Sequence, residues 1–146
     1  MAVTRFAEAT WNGDLLNGSG TINYVSSGAL SRTPVTWASR TEEHNGRTSP
    51  EELIAAAHAA CFSMAFSGAL ARNGTPPTKL DVKAVVSFEK LEAGWKLTKS
   101  ELTVRGTVPG LDEAKFIEIA NVSKDGCPVS GALKGNVELS VDAALA

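Results

Sequence analysis

The chain has 146 residues and a net charge of −2, from 14 basic and 16 acidic side chains, so a basic nucleic-acid face spread over the whole domain is excluded. With 43% hydrophobic and 21% charged residues it is no acidic disordered tail, and its two cysteines cannot make a secreted disulfide scaffold. The length predicts one α+β domain, residues 1–146, which can bury roughly two thirds of its unfolded surface without cross-links.

The opening residues, from Met1 to Trp11, contain no apolar run of signal-peptide length. The expectation is a cytoplasmic protein, where both cysteines start as thiols. Thr4 to Asn12 suits a strand. Asn17-Gly18 marks a tight turn before a second strand, Thr21 to Ser26, and Ser27-Gly28 turns the chain again. Val35 to Arg40 reads as a third strand with Arg40 at its end.

Next comes the strongest helix signal. Ser49 is an N-cap, Pro50 takes the first helical position, and Glu51 and Glu52 place acids in the first turn. Arg72, Asn73-Gly74 and Pro76-Pro77 end it. Leu53 to Ala71 holds no acid, lysine or arginine, yet alanine dominates it, and His58, Ser63, Ser67 and Gly68 interrupt it. A membrane span carries mostly larger aliphatic residues, so this segment reads instead as a central helix buried on nearly all sides.

Beyond it, Leu80, Val82, Ala84, Val86 and Phe88 alternate with more polar residues as a strand with one buried face. Ala93-Gly94 turns the chain into Trp95 to Val108. Its apolar phase flips between Leu97 and Leu102, which predicts a β-bulge near Lys99 and Ser100. Asp112 caps a second helix with Phe116, Ile119, Ala120 and Ser123 on its apolar face and Gly126 at its stop. Pro128 opens a short helix to Leu133, and Val137, Leu139 and Val141 form the last strand. Three strands, a long helix, two strands, a helix and a strand, with long antiparallel hairpins, define an α+β fold. No dinucleotide-type glycine turn and no phosphate-binding GxxxxGK[ST] motif is present.

The chemistry-bearing candidates are few. Cys61 lies in the middle of the long helix and Cys127 at the N-cap of the short one, where helix dipoles favour a thiolate. Both could equally be small buried hydrophobes. Zinc would need a close pair of ligands, and Cys61, Cys127, His44 and His58 offer none. Arg40 and Glu51 read as a strand-end cation and a first-turn acid, or as members of a site.

The run Arg40, then Thr48 through Met64 with Cys61 inside it, resembles the family of osmotically inducible protein C (OsmC), which is related to the organic hydroperoxide resistance proteins. Gly126-Cys127-Pro128-Val129-Ser130 resembles the family's second cysteine motif. Trp11-Asn12-Gly13-Asp14 and Gly18-Ser19-Gly20-Thr21 resemble its opening hairpin. The first hairpin lacks the arginine of the organic hydroperoxide branch, so the likeness is nearer to OsmC. The resemblance implies a thiol peroxidase with antiparallel sheets around a central helix in an intertwined homodimer. Cys61 would be the peroxidatic cysteine, Cys127 the resolving one, and Arg40 and Glu51 the pair that activates Cys61. It also implies a small hydroperoxide substrate and no bound cofactor. A dithiol reductant protein, lipoyl-carrying rather than thioredoxin, would act from outside, with neither nucleic acid nor membrane as a partner. The apolar residues near Cys61 (Leu53, Ile54, Phe62, Phe66) suit bulky hydroperoxides or are simply core.

Two other functions share these residues: a cysteine hydrolase pairing Cys61 with His58, and a redox sensor or binding protein without turnover. One further expectation comes from helix geometry. Glu51 and Cys61 are ten residues apart, about 15 Å along a helix, so Glu51 would not reach the Cys61 of its own chain. Two antiparallel copies crossing near Ala56 would bring Glu51 of one level with Cys61 of the other. The alternative is that the alanine run merely packs under a sheet.

Overall fold

A computed structural model describes all residues, 1–146. The chain divides into two compact units, Met1–Leu53 and Ile54–Ala146.

The first unit is a three-stranded antiparallel sheet, β1 (Ala7–Asn12), β2 (Ser19–Val25) and β3 (Ser31–Val35), paired in that order. A short helix, α1 (Trp37–Thr41), follows. The expected strand from Val35 to Arg40 is therefore corrected: Arg40 sits on a helix. The cause is local. Thr36 accepts a hydrogen bond from the Ser39 N–H at 3.0 Å, and Ser39 Oγ accepts one from the Thr36 N–H at 3.0 Å. This reciprocal capping box satisfies two helix-end donors at once, and it starts a helix directly after β3.

α2 (Pro50–Arg72) begins in the first unit and continues into the second. Its cap is the expected one, with the Glu52 N–H donating to Ser49 Oγ at 3.1 Å. By length and composition it could cross a membrane. Its pattern is not the uniform burial expected. His58, Phe62, Phe66 and Leu70, spaced by four, are fully buried, whereas Ala56, Ala57, Ala60 and Met64 are exposed. One stripe packs within the chain and the opposite one is left uncovered.

In the second unit that stripe meets a sheet of β4 (Lys79–Leu91), β5 (Gly94–Thr107) and β6 (Glu138–Leu145). Between β5 and β6 the chain forms α3 (Glu113–Gly126) and α4 (Pro128–Leu133). The core joins Phe62, Phe66 and Leu70 of α2 to Leu102 and Val104 of β5 and to Phe116 and Ala120 of α3. The rings of Phe66 and Phe116 lie 5.0 Å apart. The apolar face expected for α3 is the one observed, and Asp112 accepts from the Lys115 N–H at its start.

β4 and β5 form the expected long antiparallel hairpin. Pairing steps from Ser87–Lys99 to Phe88–Leu97, so the extra residue is Thr98, next to the expected position. The bulge reverses the inward phase and turns Ser100, Leu102 and Val104 into the core. The last strand departs from the antiparallel expectation: β6 runs parallel to β5. A hairpin cannot join parallel neighbours, and the intervening α3–α4 segment supplies the long crossover they need.

Candidate functional site

The four candidate residues come together as two pairs, one in each unit. In the first, Arg40 projects from α1 toward Glu51 in the first turn of α2. Its Nε lies 2.9 Å from Glu51 Oε1 and 3.1 Å from Oε2, and its terminal nitrogen lies 2.8 Å from Oε1. The Glu51 side chain is 9% exposed and that of Arg40 31%. A carboxylate held this way is bound by charge-assisted, geometrically specific contacts, and the guanidinium keeps its charge at any relevant pH. Arg40 also lies over the Trp37 ring, 5.7 Å from its centroid.

Beside Arg40 is a cavity of about 340 Å³ lined by Trp11, Leu15, Val35, Thr36, Trp37 and Pro50. Trp11 fits here because Gly20 has no side chain: a Cβ on Gly20 would stand 2.6 Å from the Trp11 ring. This apolar lining was not singled out from the sequence. Of the two readings left open for Phe62 and Phe66, the structure shows the second: both are fully buried core. Trp11 was read only as part of the opening hairpin and Trp37 not at all; the hairpin and the capped α1 bring them to one cavity.

In the second unit Cys61 of α2 meets Cys127, the cap between α3 and α4. Both are free thiols, Cys61 partly exposed and Cys127 buried. Burial pushes the Cys61 thiol above the usual range, and its interaction with Cys127 adds to this, against a smaller opposing effect of the Val129 N–H. Burial also opposes ionisation of Cys127, but donors outweigh it: the Cys61 thiol, the Ser130 N–H and hydroxyl, and the Val129 N–H together hold it below the usual range. These donors approach loosely, since no close capping hydrogen bond reaches the sulfur. Within one chain, then, the surroundings push the Cys61 thiol up and hold the Cys127 thiol down.

His58 does not partner Cys61. Its Nδ1 lies 2.6 Å from Ser100 Oγ and its Nε2 2.8 Å from Ser130 Oγ. With both nitrogens taken by serines, the His58–Cys61 dyad of a hydrolase has no geometric basis. Neither Ser100 nor Ser130 was a sequence candidate, because their contacts to His58 span 42 and 72 residues.

A partly exposed Cys61 beside a buried Cys127, with one anchored arginine in an α+β chain, suits the class of small thiol redox proteins. Comparison with known proteins is specific. Residues 43–142 match the model of the family described as OsmC-like protein. The chain is 44% identical over 139 residues to peroxiredoxin OsmC of Escherichia coli, covering 95% of this chain and 96% of that one. It is 29% identical over 95 residues to an organic hydroperoxide resistance protein of Xanthomonas axonopodis, covering 64% of this chain and 65% of that one. Among solved structures, organic hydroperoxide resistance protein OhrB of Bacillus subtilis aligns with a TM-score of 0.73 at 27% identity, over 94% of this chain and 97% of that one. The chain belongs to the OsmC-like family.

Proposed function

We infer that this chain is a thiol-dependent peroxidase of oxidative-stress defence that reduces organic hydroperoxides. The observation that carries the inference is the Cys61–Cys127 thiol pair in a chain 44% identical to a peroxiredoxin. The Cys61 thiolate attacks the terminal peroxide oxygen, the O–O bond breaks, an alcohol leaves, and Cys61 becomes a sulfenic acid. The Cys127 thiolate then attacks the Cys61 sulfur, hydroxide leaves and takes up a proton as water, and a Cys61–Cys127 disulfide results. A dithiol reductant of the lipoyl type restores both thiols and is itself oxidised to a disulfide. No bound cofactor takes part. A cycle that depends on continual supply of a reduced dithiol suits a reducing compartment, the cytoplasm.

The raised Cys61 pKa calls for a fixed cation at the moment of attack. Arg40 is the candidate, and a second copy of the chain is its proposed source. Glu51 lies ten residues before Cys61 on α2, about 15 Å along the helix, and Arg40 is tied to that Glu51. The uncovered stripe of Ala56, Ala57, Ala60 and Met64 offers small residues for close approach of a second α2. In an antiparallel homodimer the partner's Arg40–Glu51 pair would come level with Cys61, and the apolar cavity beside Arg40 would receive the organic part of the hydroperoxide.

Mass spectrometry after one equivalent of hydroperoxide tests the assignment. An intramolecular Cys61–Cys127 disulfide is expected, and in Cys127→Ser protein a Cys61 sulfenic acid, which a second equivalent of hydroperoxide takes on to sulfinic acid. A peroxide-treated wild type with both thiols still reduced would overturn it.

A further inference from the structure

Three buried polar side chains have no part in the chemistry above. His58, Ser100 and Ser130 are each at most 1% exposed. They form a line, with His58 Nδ1 2.6 Å from Ser100 Oγ and Nε2 2.8 Å from Ser130 Oγ. Ser130 stands in α4, three residues after Cys127, and its hydroxyl is among the groups that hold the Cys127 thiol below its usual range. The line therefore runs from β5, through α2, to the short helix that Cys127 caps.

Proton counting decides what the line can do. Burial holds the His58 pKa below its ordinary value, so the ring is neutral and carries one N–H. Each serine has one O–H. If the ring proton sits on Nδ1, His58 donates to Ser100, and the Ser130 O–H must turn to Nε2. Cys127 then receives no O–H from Ser130, only its backbone N–H. If the proton sits on Nε2, His58 donates to Ser130 Oγ, the Ser100 O–H donates to Nδ1, and the Ser130 O–H is left for the Cys127 sulfur. Each of the three side chains keeps a partner in both orders, but only the second leaves an O–H for a thiolate. A thiol or a disulfide sulfur is a weak acceptor and a thiolate a strong one.

We propose that Ser100 and His58 are positioning residues that aim the Ser130 hydroxyl at the Cys127 sulfur, with the Nε2–H tautomer of His58 adopted when Cys127 is a thiolate. The proposal rests on Cys127 being the resolving cysteine. It acts where charge appears on that sulfur. In reductive recycling a thiolate of the external dithiol attacks Cys61 Sγ. A mixed disulfide forms, the Cys61–Cys127 bond breaks, and the electron pair leaves on Cys127 Sγ, where the Ser130 O–H receives it. The dithiol's second thiolate then attacks its own sulfur in the mixed disulfide, closes the oxidised dithiol and releases Cys61 as a thiolate. The two protons shed by the dithiol end on the cysteines or in solvent. Stabilising the leaving thiolate speeds exchange.

The experiment has two arms. In the first, ¹⁵N NMR of the reduced protein, at a pH where Cys127 is ionised, identifies the His58 tautomer. Nε2–H is expected, and Nδ1–H would overturn the proposal. In the second, protein oxidised with diamide is reduced by dithiothreitol, and Cys127 alkylation is followed against pH. Ser130→Ala should slow reduction about tenfold, as loss of a hydrogen bond to a charged group predicts. That reduction step should suffer more than the peroxide step, and the alkylation profile should move to higher pH. His58→Leu should shift both readouts the same way, and His58→Gln, whose amide can donate to Ser130, should recover toward wild type. An unmoved Ser130→Ala profile, or His58→Gln no better than His58→Leu, would overturn the relay. Failure of the peroxidase assignment is separate: it would appear as no disulfide after hydroperoxide, whereas diamide oxidation and the tautomer need no peroxide.

Discussion

Arg40 and Glu51, eleven residues apart, are joined by three contacts of 2.8 to 3.1 Å between a guanidinium on α1 and a carboxylate in the first turn of α2. The bond joins an arginine whose charge is permanent to a buried acid that fixes its direction. Because the pair is made within one chain, a partner that delivers Glu51 to a neighbour's Cys61 delivers Arg40 as well.

Arg40→Ala should therefore slow oxidation of Cys61, with the fold retained at some cost in stability because buried Glu51 loses its partner. A loss of about tenfold or more is expected if the cation favours the thiolate by the free energy of one pKa unit. The Cys61 alkylation profile should move to higher pH. An unchanged profile would remove Arg40 from the site.

The cross-chain arrangement has its own test. Cys61→Ser and Glu51→Ala proteins should each be inactive. After subunit exchange, a heterodimer holds one site with an intact Cys61 and a partner that keeps Glu51. Activity should reappear, up to about half that of an intact dimer, since one of two equivalent sites is restored. If heterodimers form and activity stays absent, Glu51 is not supplied across the interface.

How much of this was legible in the sequence follows from the range of the interactions involved. The start of α2 was readable because Ser49, Pro50, Glu51 and Glu52 act within one turn. The α3 face was readable because Phe116, Ile119, Ala120 and Ser123 repeat at helical spacing. α1 was misread as strand because its signal is the capping box of Thr36 and Ser39, a single turn of helix beside an extended segment. The parallel placement of β6 had no local signal, as strand direction is set by the crossover and not by the residues of the strand. Cys61, Cys127, Arg40 and Glu51 were singled out from their motifs, but the Ser100–His58–Ser130 line was not. It depends on a bulge at Thr98 that turns Ser100 inward, and on contacts distant in the chain.

The cavity beside Arg40 predicts a substrate-size effect. Trp37→Ala removes one apolar wall. The KM for a bulky aromatic hydroperoxide should rise by about tenfold, corresponding to the loss of one to two kcal/mol of apolar contact. The KM for hydrogen peroxide, which has no organic part to bury, should change far less. Equal effects on the two substrates would show that the cavity does not hold the organic group.

Burial of His58 has a consequence for stability. Its folded pKa lies below the ordinary 6.5 because of desolvation, so the unfolded chain takes up the proton first as pH falls. The stabilisation by neutral His58 is thus fully present above about pH 6.5 and is lost progressively as pH drops toward the folded value. Urea midpoints measured across this window should fall with pH in the wild type. The fall should be smaller in His58→Gln protein, which has no imidazole at this position to titrate. Parallel curves for the two proteins would place the acid sensitivity elsewhere.

Peroxidase activity is read directly as hydroperoxide consumed per protein, followed at steady state with dihydrolipoamide in excess. Many turnovers are expected for the wild type, none for Cys61→Ser, and slower turnover for Cys127→Ser with progressive loss of Cys61 to sulfinic acid. A wild type that consumes no more than one equivalent, or a Cys61→Ser protein that turns over like the wild type, would contradict the peroxidase assignment.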